Sequence, residues 1–311
     1  MSDSSIKEYD LSQLPAADLA LGGESSVLPK MKARGIDPMT DEELASYTLH
    51  RRWDRMGRLV GDRAMKKLME SHVLVIGLGG VGSWAAESLA RSGVGRLTIV
   101  DFDEICITNF NRQLHALNGL VGQRKSEVMA ERLRKINPQL QVTEIPKFYN
   151  EETHDEIFAV KPDLVIDAID HVTSKCHLLA WCRRNDVPVV CSTGSGGRMD
   201  PTQVRVADLA ETERDPLAKA LRRILREKYG FPKEEGVPFG IPAVYSQENV
   251  IPPFELKYDG GKGFRCVCPQ KDNEFFNCDN RNLILGNASF VTGTFGFVCA
   301  SQAVQKLTSS A

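Results

Sequence analysis

Residues 72–83 read HVLVIGLGGVGS and decide the fold of this chain. The apolar run at 72–76 has the length and composition of a buried strand, and a glycine ends it. Gly77, Gly79 and Gly82 follow the G-x-G-x-x-G spacing. In that spacing the first glycine allows a tight turn, the second a close approach to phosphate, and the third close helix–strand packing. The stretch therefore predicts a strand–loop–helix unit whose helix N-terminus binds phosphate.

Strand and helix patterns alternate around this stretch. Helices are predicted at 81–91 and 125–135, and further buried strands at 97–100, 141–145, 164–166 and 187–191. Short apolar strands separated by helices are typical of a parallel sheet that is covered on both faces. We therefore predict an α/β fold, namely a Rossmann-like, doubly wound, mostly parallel sheet with helices on both faces.

The composition also suggests where the domain begins. Residues 1–39 are rich in Ser, Pro, Gly and Lys and are predicted to form a largely disordered extension. A capping box at Thr40 and Glu43 predicts a helix that starts there and continues to Arg52. Residues 40–311 are predicted to form one domain, with a nucleotide core at 50–200 and a substrate-facing part at 200–311 packed on it.

The bulk composition restricts location and partners. The net charge is −2, so any nucleic-acid site must be a local patch. Eight cysteines without zinc-ribbon pairs indicate a reducing compartment, and residues 1–15 do not resemble a secretory signal, so the cytoplasm is expected. Residues 283–304 are largely apolar, but their polar side chains and glycines favour a core strand or helix over a membrane span. Peripheral membrane association stays open.

Asp101 lies 24 residues after Gly77, at the end of the second predicted strand, where it can accept hydrogen bonds from ribose hydroxyls. This pattern fits NAD and ATP equally well, and a glycine turn without a ligand is a third possibility. The following segment, DFDEICITNFNRQ at 101–113, favours ATP, because a dehydrogenase has no use for Asn, Arg and Gln packed beside its ribose site.

Three side chains are suited to chemistry at an α-phosphate. Arg112 offers a forked set of donors to phosphate oxygens, and Lys125, in GQRK, supplies a second cation. In VIDAID at 165–170, Asp167 and Asp170 lie at and just beyond a strand end. We predict that Asp170, the farther of the two, holds the magnesium ion that bridges the phosphates.

The motifs GLGGVGS, DFDEICITNFNRQ, GQRKSE and VIDAID, in this order and spacing, resemble the ubiquitin-activating-enzyme-like (ThiF-like) superfamily. That superfamily includes the adenylyltransferases of molybdopterin and thiamine biosynthesis. The resemblance implies that the chain uses ATP and Mg²⁺ and adenylates a carboxylate. It assigns nucleotide roles to Gly77, Gly79, Gly82, Asp101, Asp103, Asn109, Arg112, Gln113, Lys125 and Asp170.

The resemblance also implies a homodimer in which an arginine before the first strand reaches the partner's ATP site. In RRWDRMGR at 51–58 the first candidate is Arg55 and the second is Arg52. A solvated basic helix face is the alternative interpretation of this segment.

Two longer segments, at 191–226 and 287–307, resemble the branch of tRNA threonylcarbamoyladenosine dehydratases. The likeness weakens at 231–280, which is interpreted as a variable loop. The branch implies that ATP adenylates the carboxylate of the modified adenosine in tRNA, after which a nitrogen of the same side chain closes a ring with net loss of water. An intramolecular nucleophile needs no catalytic cysteine.

Lys219, Arg222, Arg223 and Arg226 recur at steps of three and four residues, so they share one face of a predicted helix. Such a face fits a phosphate backbone, and the resemblance favours tRNA over the alternative of a solvated charged helix.

Other functions stay open at this stage. The chain could activate a ubiquitin-like or sulfur-carrier protein, with Cys191 as the reactive cysteine, and a sulfur-transfer or cysteine-desulfurase partner is also possible. An NAD-dependent oxidoreductase and a non-catalytic scaffold are further alternatives. There is no C-x-x-C pair, and Cys266, Cys268 and Cys278 are interpreted as core or loop cysteines rather than a zinc site. His115 is interpreted as structural.

Overall fold

The computed structural model describes residues 39–258 and 284–309. The helices of this part of the chain are α1 (Asp41–Ser46), α2 (Asp54–Val60), α3 (Asp62–Glu70), α4 (Gly82–Arg91), α5 (Lys125–Ile136), α6 (His154–Phe158), α7 (Val172–Arg184), α8 (Pro216–Lys228) and α9 (Ser289–Thr308). The strands are β1 (His72–Ile76), β2 (Arg96–Val100), β3 (Gln141–Ile145), β4 (Leu164–Asp167), β5 (Val189–Ser192), β6 (Val204–Asp208) and β7 (Pro242–Ser246).

The strands form one sheet in the order β3-β2-β1-β4-β5-β7-β6. Every neighbouring pair is parallel except β6 and β7, which pair antiparallel at one edge. The strand order reverses between β1 and β4, and ligands of such sheets bind at the carboxyl ends of the strands near that point. The glycine loop follows β1 and therefore lies at this position. The predicted mostly parallel α/β sheet is confirmed.

Helices cover both faces of the sheet because the strand side chains alternate in direction. Val73 and Val75 point into one apolar core, which also receives residues of α3, α4, α5 and α9. Leu74 and Ile76 point into the opposite core, together with residues of α6, α7 and α8. All five residues of β1 are buried, as expected for a central strand covered on both sides.

Within the predicted core element at 283–304, the residues from Ser289 onward belong to the helix α9. It packs against α3 and α4 and touches β4, β5 and β7. A Cβ on Gly296 would lie 2.5 Å from the carbonyl oxygen of Val81, so glycine permits a close helix crossing here. Within the described residues, every helix falls short of the combined length and apolar character that a membrane span requires.

Three local predictions were wrong. The first helix ends at Ser46 instead of Arg52, because Tyr47 and Leu49 leave the helix and pack against the core. The strand at 141–145 is an edge strand and only partly buried. The predicted variable loop at 231–280 contains β7, a strand of the sheet. Residues 1–38 and Cys266, Cys268 and Cys278 lie outside the described residues, so the predictions that concern them have no structural counterpart.

Candidate active site

The glycine loop forms a cradle that is tight at both ends and open in the middle. Gly77 has a φ of +90°, and a Cβ there would lie 2.6 Å from the carbonyl oxygen of Ala168. A Cβ on Gly82, where α4 begins, would lie 1.8 Å from the carbonyl oxygen of Gly77. At Gly79, by contrast, a Cβ would meet only Gln113 Nε2, at 3.9 Å. The protein itself leaves the space at Gly79 open, which suits a phosphate group.

Two carboxylates and one lysine lie beside this cradle. Asp101 Oδ2 accepts the backbone N–H of Leu78 at 2.6 Å, and its Oδ1 accepts that of Asp103 at 2.9 Å. Burial raises the pKa of Asp101 above its ordinary value, against the attraction of Lys125. Each oxygen of Asp101 retains a lone pair that can accept a further hydrogen bond. The residue therefore fixes the glycine loop and can still bind a hydroxyl.

Lys125 begins α5 and is buried, with its Nζ donating to Asp103 Oδ2 at 2.7 Å. Burial opposes its charge, but the combined attraction of Asp101, Asp103 and Asp170 raises its pKa above the ordinary value. Lys125 therefore stays protonated throughout the physiological range. The same interactions place Asp170, from the loop after β4, within the electrostatic reach of Lys125.

Arg112 and Gln113 face the glycine loop from the segment after β2. A Cβ on Gly80 would lie 3.2 Å from Arg112 Cγ, so the arginine stem covers the loop. Arg112 Nη1 donates to the Thr108 carbonyl at 2.9 Å and to Asn111 Oδ1 at 3.0 Å. The buried Gln113 Oε1 has no hydrogen-bond partner among the described residues. An orphaned acceptor beside an open cradle fits a bound ligand that donates hydrogen bonds.

Asn109 and His115 organise the same segment from inside. Asn109 Oδ1 accepts the backbone N–H of Cys106 at 2.9 Å and so caps the short 3₁₀ turn at Ile107–Asn109. The Asn109 side chain therefore shapes the loop. The sequence predicted a nucleotide contact for Asn109 and did not predict this structural role. His115 is buried, neither ring nitrogen has a described partner, and burial lowers its pKa to about 3. It is therefore neutral at physiological pH.

The two candidate magnesium ligands have different environments. Asp167 is buried and forms an ion pair with Lys175 at 2.8 Å, whereas Asp170 is exposed. Among residues 39–258 and 284–309, no cluster of three His, Cys, Asp or Glu side chains could hold a metal ion by itself. Mg²⁺ in nucleotide sites commonly uses one or two carboxylates together with phosphates. Asp170 fits such a site, and Asp167 does not.

Sequence reasoning missed three rings at the same edge of the sheet. Phe102 follows β2, Phe148 follows β3 and His171 follows β4. Phe102 and Phe148 meet edge to face with ring centroids 5.1 Å apart, and Phe148 and His171 do so at 5.5 Å. Phe102 is adjacent to Asp101 in sequence, so the rings lie beside the ribose-binding candidate. A lone aromatic residue after each of three strands was the only signal in the sequence.

These features converge at the carboxyl edge of the sheet, and a comparison with known proteins agrees with them. A model of the ThiF family matches residues 53–311, which include the glycine loop, Arg112, Lys125 and Asp170. The chain belongs to the ThiF family. The nucleotide roles were predicted from a resemblance to members of this family. The fold brings the residues that carry those predicted roles together at one edge of the sheet.

Individual relatives of this ThiF-family chain indicate which members of the family it resembles. The tRNA threonylcarbamoyladenosine dehydratase of Escherichia coli (strain K12) is 42% identical over 264 residues, which cover 84% of this chain and 94% of the relative. That of Bacillus subtilis (strain 168) is 44% identical over 192 residues, covering 62% of this chain and 73% of the relative. The molybdopterin-synthase adenylyltransferase of Escherichia coli (strain K12) is 35% identical over 54% of this chain and 64% of its own length.

Solved structures agree. The crystal structure of E. coli tRNA N6-threonylcarbamoyladenosine dehydratase, TcdA, in complex with ATP matches with a TM-score of 0.71 and 41% identity, covering 84% of this chain and 95% of that chain. The E. coli MccB structure with ATP matches with a TM-score of 0.52 at 19% identity, covering 85% of this chain and 65% of that chain. The second likeness shows the shared fold alone.

The predicted basic face of this ThiF-family chain lies on α8. Lys219, Arg222, Arg223 and Arg226 line one open groove of about 480 Å³. Arg222 Nη1 also donates to the Thr212 hydroxyl, and Arg226 Nε donates to the Pro232 carbonyl at 3.0 Å. Lys219 and Arg223 are the exposed members. The groove thus combines two half-buried cations that are held by neutral acceptors with two exposed ones, of which Arg223 pairs with Glu227 at 3.3 Å.

Two remaining predicted residues lie in opposite environments. Arg55 is exposed in the first turn of α2, where it is accessible to another molecule. Cys191 is fully buried in β5, and burial raises the pKa of its thiol well above the ordinary value. A buried thiol with a raised pKa is a poor nucleophile. This environment argues against Cys191 as the reactive cysteine of a carrier-activating enzyme.

Proposed function

We propose that this chain is an ATP-dependent tRNA threonylcarbamoyladenosine dehydratase. The observation that carries the proposal is the convergence of the open cradle at Gly79, the Arg112 stem, the buried Lys125 and the exposed Asp170 at one edge of the sheet. This set suits displacement at an α-phosphate. The similarity to curated dehydratases over nearly their whole length supports the choice of substrate.

ATP binds with its phosphates against Gly79 and Gly80 and with its ribose hydroxyls on Asp101. The adenine ring packs against the aromatic side chains of Phe102 and Phe148. Gln113 Oε1, which has no described partner, accepts a hydrogen bond from the bound substrates. In this arrangement the positive end of α4 faces the phosphates.

Asp170 would hold Mg²⁺ against the phosphates, and Asp103, which contacts Lys125, offers a further carboxylate at the same edge of the sheet. The ion, when bound, neutralises charge on the phosphates and orients them. Lys125 adds a fixed positive charge that Asp101 and Asp103 keep in place.

The reaction has two steps. In the first, a carboxylate oxygen of the threonylcarbamoyl group attacks the α-phosphorus, and the bond to pyrophosphate breaks. In the second, a nitrogen of the same side chain attacks the acyl carbon, loses its proton, and AMP departs as the ring closes. Arg112 and Lys125 stabilise the charge that develops on the α-phosphate in the first step. The second step is intramolecular, so the enzyme contributes mainly position.

The tRNA backbone contacts the groove on α8 through Lys219 and Arg223, and Arg222 and Arg226 add fixed positive charge behind them. A cytoplasmic location fits these substrates. A cysteine-desulfurase or other sulfur-transfer partner is a separate proposal, on which the dehydration does not depend.

The active enzyme is a homodimer in which Arg55 of one protomer enters the ATP site of the other. Arg55→Ala and Arg112→Ala variants should each be inactive alone. Mixed after unfolding and refolding, they should recover about a quarter of wild-type activity, because half of the dimers are mixed and each mixed dimer has one intact site. Failure to recover activity would contradict a role for Arg55 in the partner's site.

The direct test combines the protein with ATP, Mg²⁺ and tRNA that carries open-chain threonylcarbamoyladenosine, followed by digestion and mass analysis of the nucleosides. We expect a product lighter by one water, dependent on ATP and lost in Arg112→Ala. Arg124→Ala is the matched control, since the Arg124 side chain is exposed and, in the part of the chain that the structure describes, its ion pair is with Glu127. Cys191→Ala should remain active.

The opposite result would place the chain elsewhere in the family. In one such outcome, the nucleosides show no change in mass while ATP–pyrophosphate exchange appears only when a carrier protein ending in Gly-Gly is added. That result would indicate an activator of ubiquitin-like or sulfur-carrier proteins. NAD binding without ATP binding would indicate an oxidoreductase.

A further inference from the structure

A buried ion pair lies directly beneath the loop that carries Asp170. Lys175, in the first turns of α7, places its Nζ 2.8 Å from Asp167 Oδ2 at the end of β4, and both side chains are 0% exposed. The proposed chemistry uses neither residue. Replacing such a pair with apolar residues is often neutral for stability, so stability alone is a weak reason for its presence.

Asp167 and Lys175 together bind both backbone polar groups of Ile169, its N–H and its carbonyl. Lys175 Nζ donates to the Ile169 carbonyl at 2.9 Å and lies 3.3 Å from the Asp167 carbonyl. Asp167 Oδ1 accepts the Ile169 N–H at 3.2 Å. The Ile169 carbonyl belongs to the peptide group that joins Ile169 to Asp170. Because a peptide group is planar, fixing that carbonyl fixes the direction in which the chain enters Asp170.

The same loop is also fixed against the phosphate cradle. Ala168 N–H donates to the Ile76 carbonyl at 2.9 Å, and its own carbonyl would lie 2.6 Å from a Cβ on Gly77. The loop at 167–170 therefore cannot move without disturbing the turn at Gly77. With Lys175 below and the glycine loop beside it, Asp170 is placed relative to the phosphates by contacts on two sides.

We propose that Lys175 is a positioning residue, which acts with Asp167 to hold the Asp170 carboxylate where it meets the metal–nucleotide complex. The inference rests on the proposed metal role of Asp170. Lysine suits this task because its ammonium group carries a charge and three N–H donors. Here it forms an ion pair with the Asp167 carboxylate and donates to the carbonyls of Asp167 and Ile169. Residues that orient a metal ligand commonly change metal affinity 10- to 100-fold when they are altered.

The test measures metal binding directly and does not depend on turnover. Full-length variants are titrated with Mn²⁺, followed by electron paramagnetic resonance, in the presence of a non-hydrolysable ATP analogue. In Asp167→Asn/Lys175→Met neither residue leaves an unpaired buried charge. We expect a cooperative thermal transition and an analogue affinity without metal close to those of the wild type. We expect Mn²⁺ affinity to fall about tenfold.

Two further variants complete the test. Asp170→Asn should lose Mn²⁺ affinity at least as strongly. Asp167→Asn/Lys175→Gln, which keeps polar groups at both positions, should give an intermediate affinity and serves if the first double variant does not fold.

Wild-type Mn²⁺ affinity in a folded double variant, with the affinity lost in Asp170→Asn, would overturn the positioning role and leave the proposed function intact. Wild-type affinity in Asp170→Asn would overturn the metal role within the proposed function, and the inference with it.

Discussion

Asp215 Oδ2 accepts a hydrogen bond from the Thr193 hydroxyl at 3.0 Å, so a residue that caps the basic helix also holds the loop after β5. The same oxygen accepts the Gly194 N–H at 3.0 Å, while Oδ1 accepts the Ala218 N–H and caps α8 at 2.7 Å. The buried Arg198 guanidinium lies 3.9 Å away. One carboxylate thus connects the proposed tRNA-binding helix to the carboxyl edge of the sheet.

Asp215→Ala should therefore destabilise the protein by about 3 kcal/mol, because a helix cap is lost, the Gly194 N–H loses its acceptor, and the buried Arg198 guanidinium loses its carboxylate. Asp215→Asn keeps the capping oxygen and should cost less than half as much. Urea denaturation measures both. Equal losses in the two variants would contradict the separate roles of the two oxygens.

Gly79→Ala should separate ATP binding from folding. Its Cβ meets little protein, so the thermal midpoint should stay within about 2 °C of the wild type. The methyl group would occupy the phosphate cradle, and ATP affinity should fall at least tenfold by calorimetry. Gly82→Ala is the contrasting variant: its Cβ overlaps the Gly77 carbonyl, and a loss of about 3 kcal/mol in stability is expected. Normal ATP binding by Gly79→Ala would contradict the placement of the phosphates.

The exposed and the half-buried cations of α8 should respond differently to substitution. Lys219→Ala and Arg223→Ala should weaken tRNA binding, and each should reduce the slope of log affinity against log salt by about 1. Arg222→Ala should in addition lower stability, because the Thr212 hydroxyl loses its donor. Filter binding across a salt series and thermal melts measure these effects. Lys135→Ala on the exposed face of α5 is the control, and an equal effect there would contradict a localised tRNA site.

His115 should make the protein sensitive to acid. Burial lowers the pKa of His115 to about 3, whereas the unfolded chain has an ordinary histidine. Between these pKa values the unfolded state binds more protons, so stability falls as pH falls. From pH 7 to pH 5 this single group should remove about 2 kcal/mol. His115→Gln should lose correspondingly less stability over that interval. Urea denaturation of the wild type and of His115→Gln at pH 7 and pH 5 provides the check. An equal loss of unfolding free energy in both proteins would rule the effect out.

Local patterns allowed much of the fold to be predicted. The strand β1, the glycine loop and α4 follow from an apolar run and three glycines whose steric reasons are all present in the structure. Asp101 and Lys125 could be singled out because each stands at the end of a predicted element, and the fold brings both side chains beside the glycine loop. Their nucleotide roles, like that of Arg55 in a partner's site, stay predictions.

Long-range contacts were harder to predict. The antiparallel pairing of β6 and β7 joins segments about 40 residues apart, and nothing local marks it. Lys175 sits in an otherwise ordinary helix, and only its burial against Asp167 distinguishes it. Phe102 and Phe148 meet because two strands end at the same edge. The end of α1 was wrong because packing of Tyr47 outweighed the helical pattern.

The crossing of α9 over the glycine loop also constrains synthesis. Thr292 and Gly296 contact Gly80 and Val81, more than 200 residues earlier in the chain. A nascent polypeptide on the ribosome that already exposes β1 and α4 still lacks this cover, and its phosphate cradle is unfinished. Nucleotide affinity should therefore stay low in the nascent chain until α9 has left the exit tunnel and packed over the glycine loop.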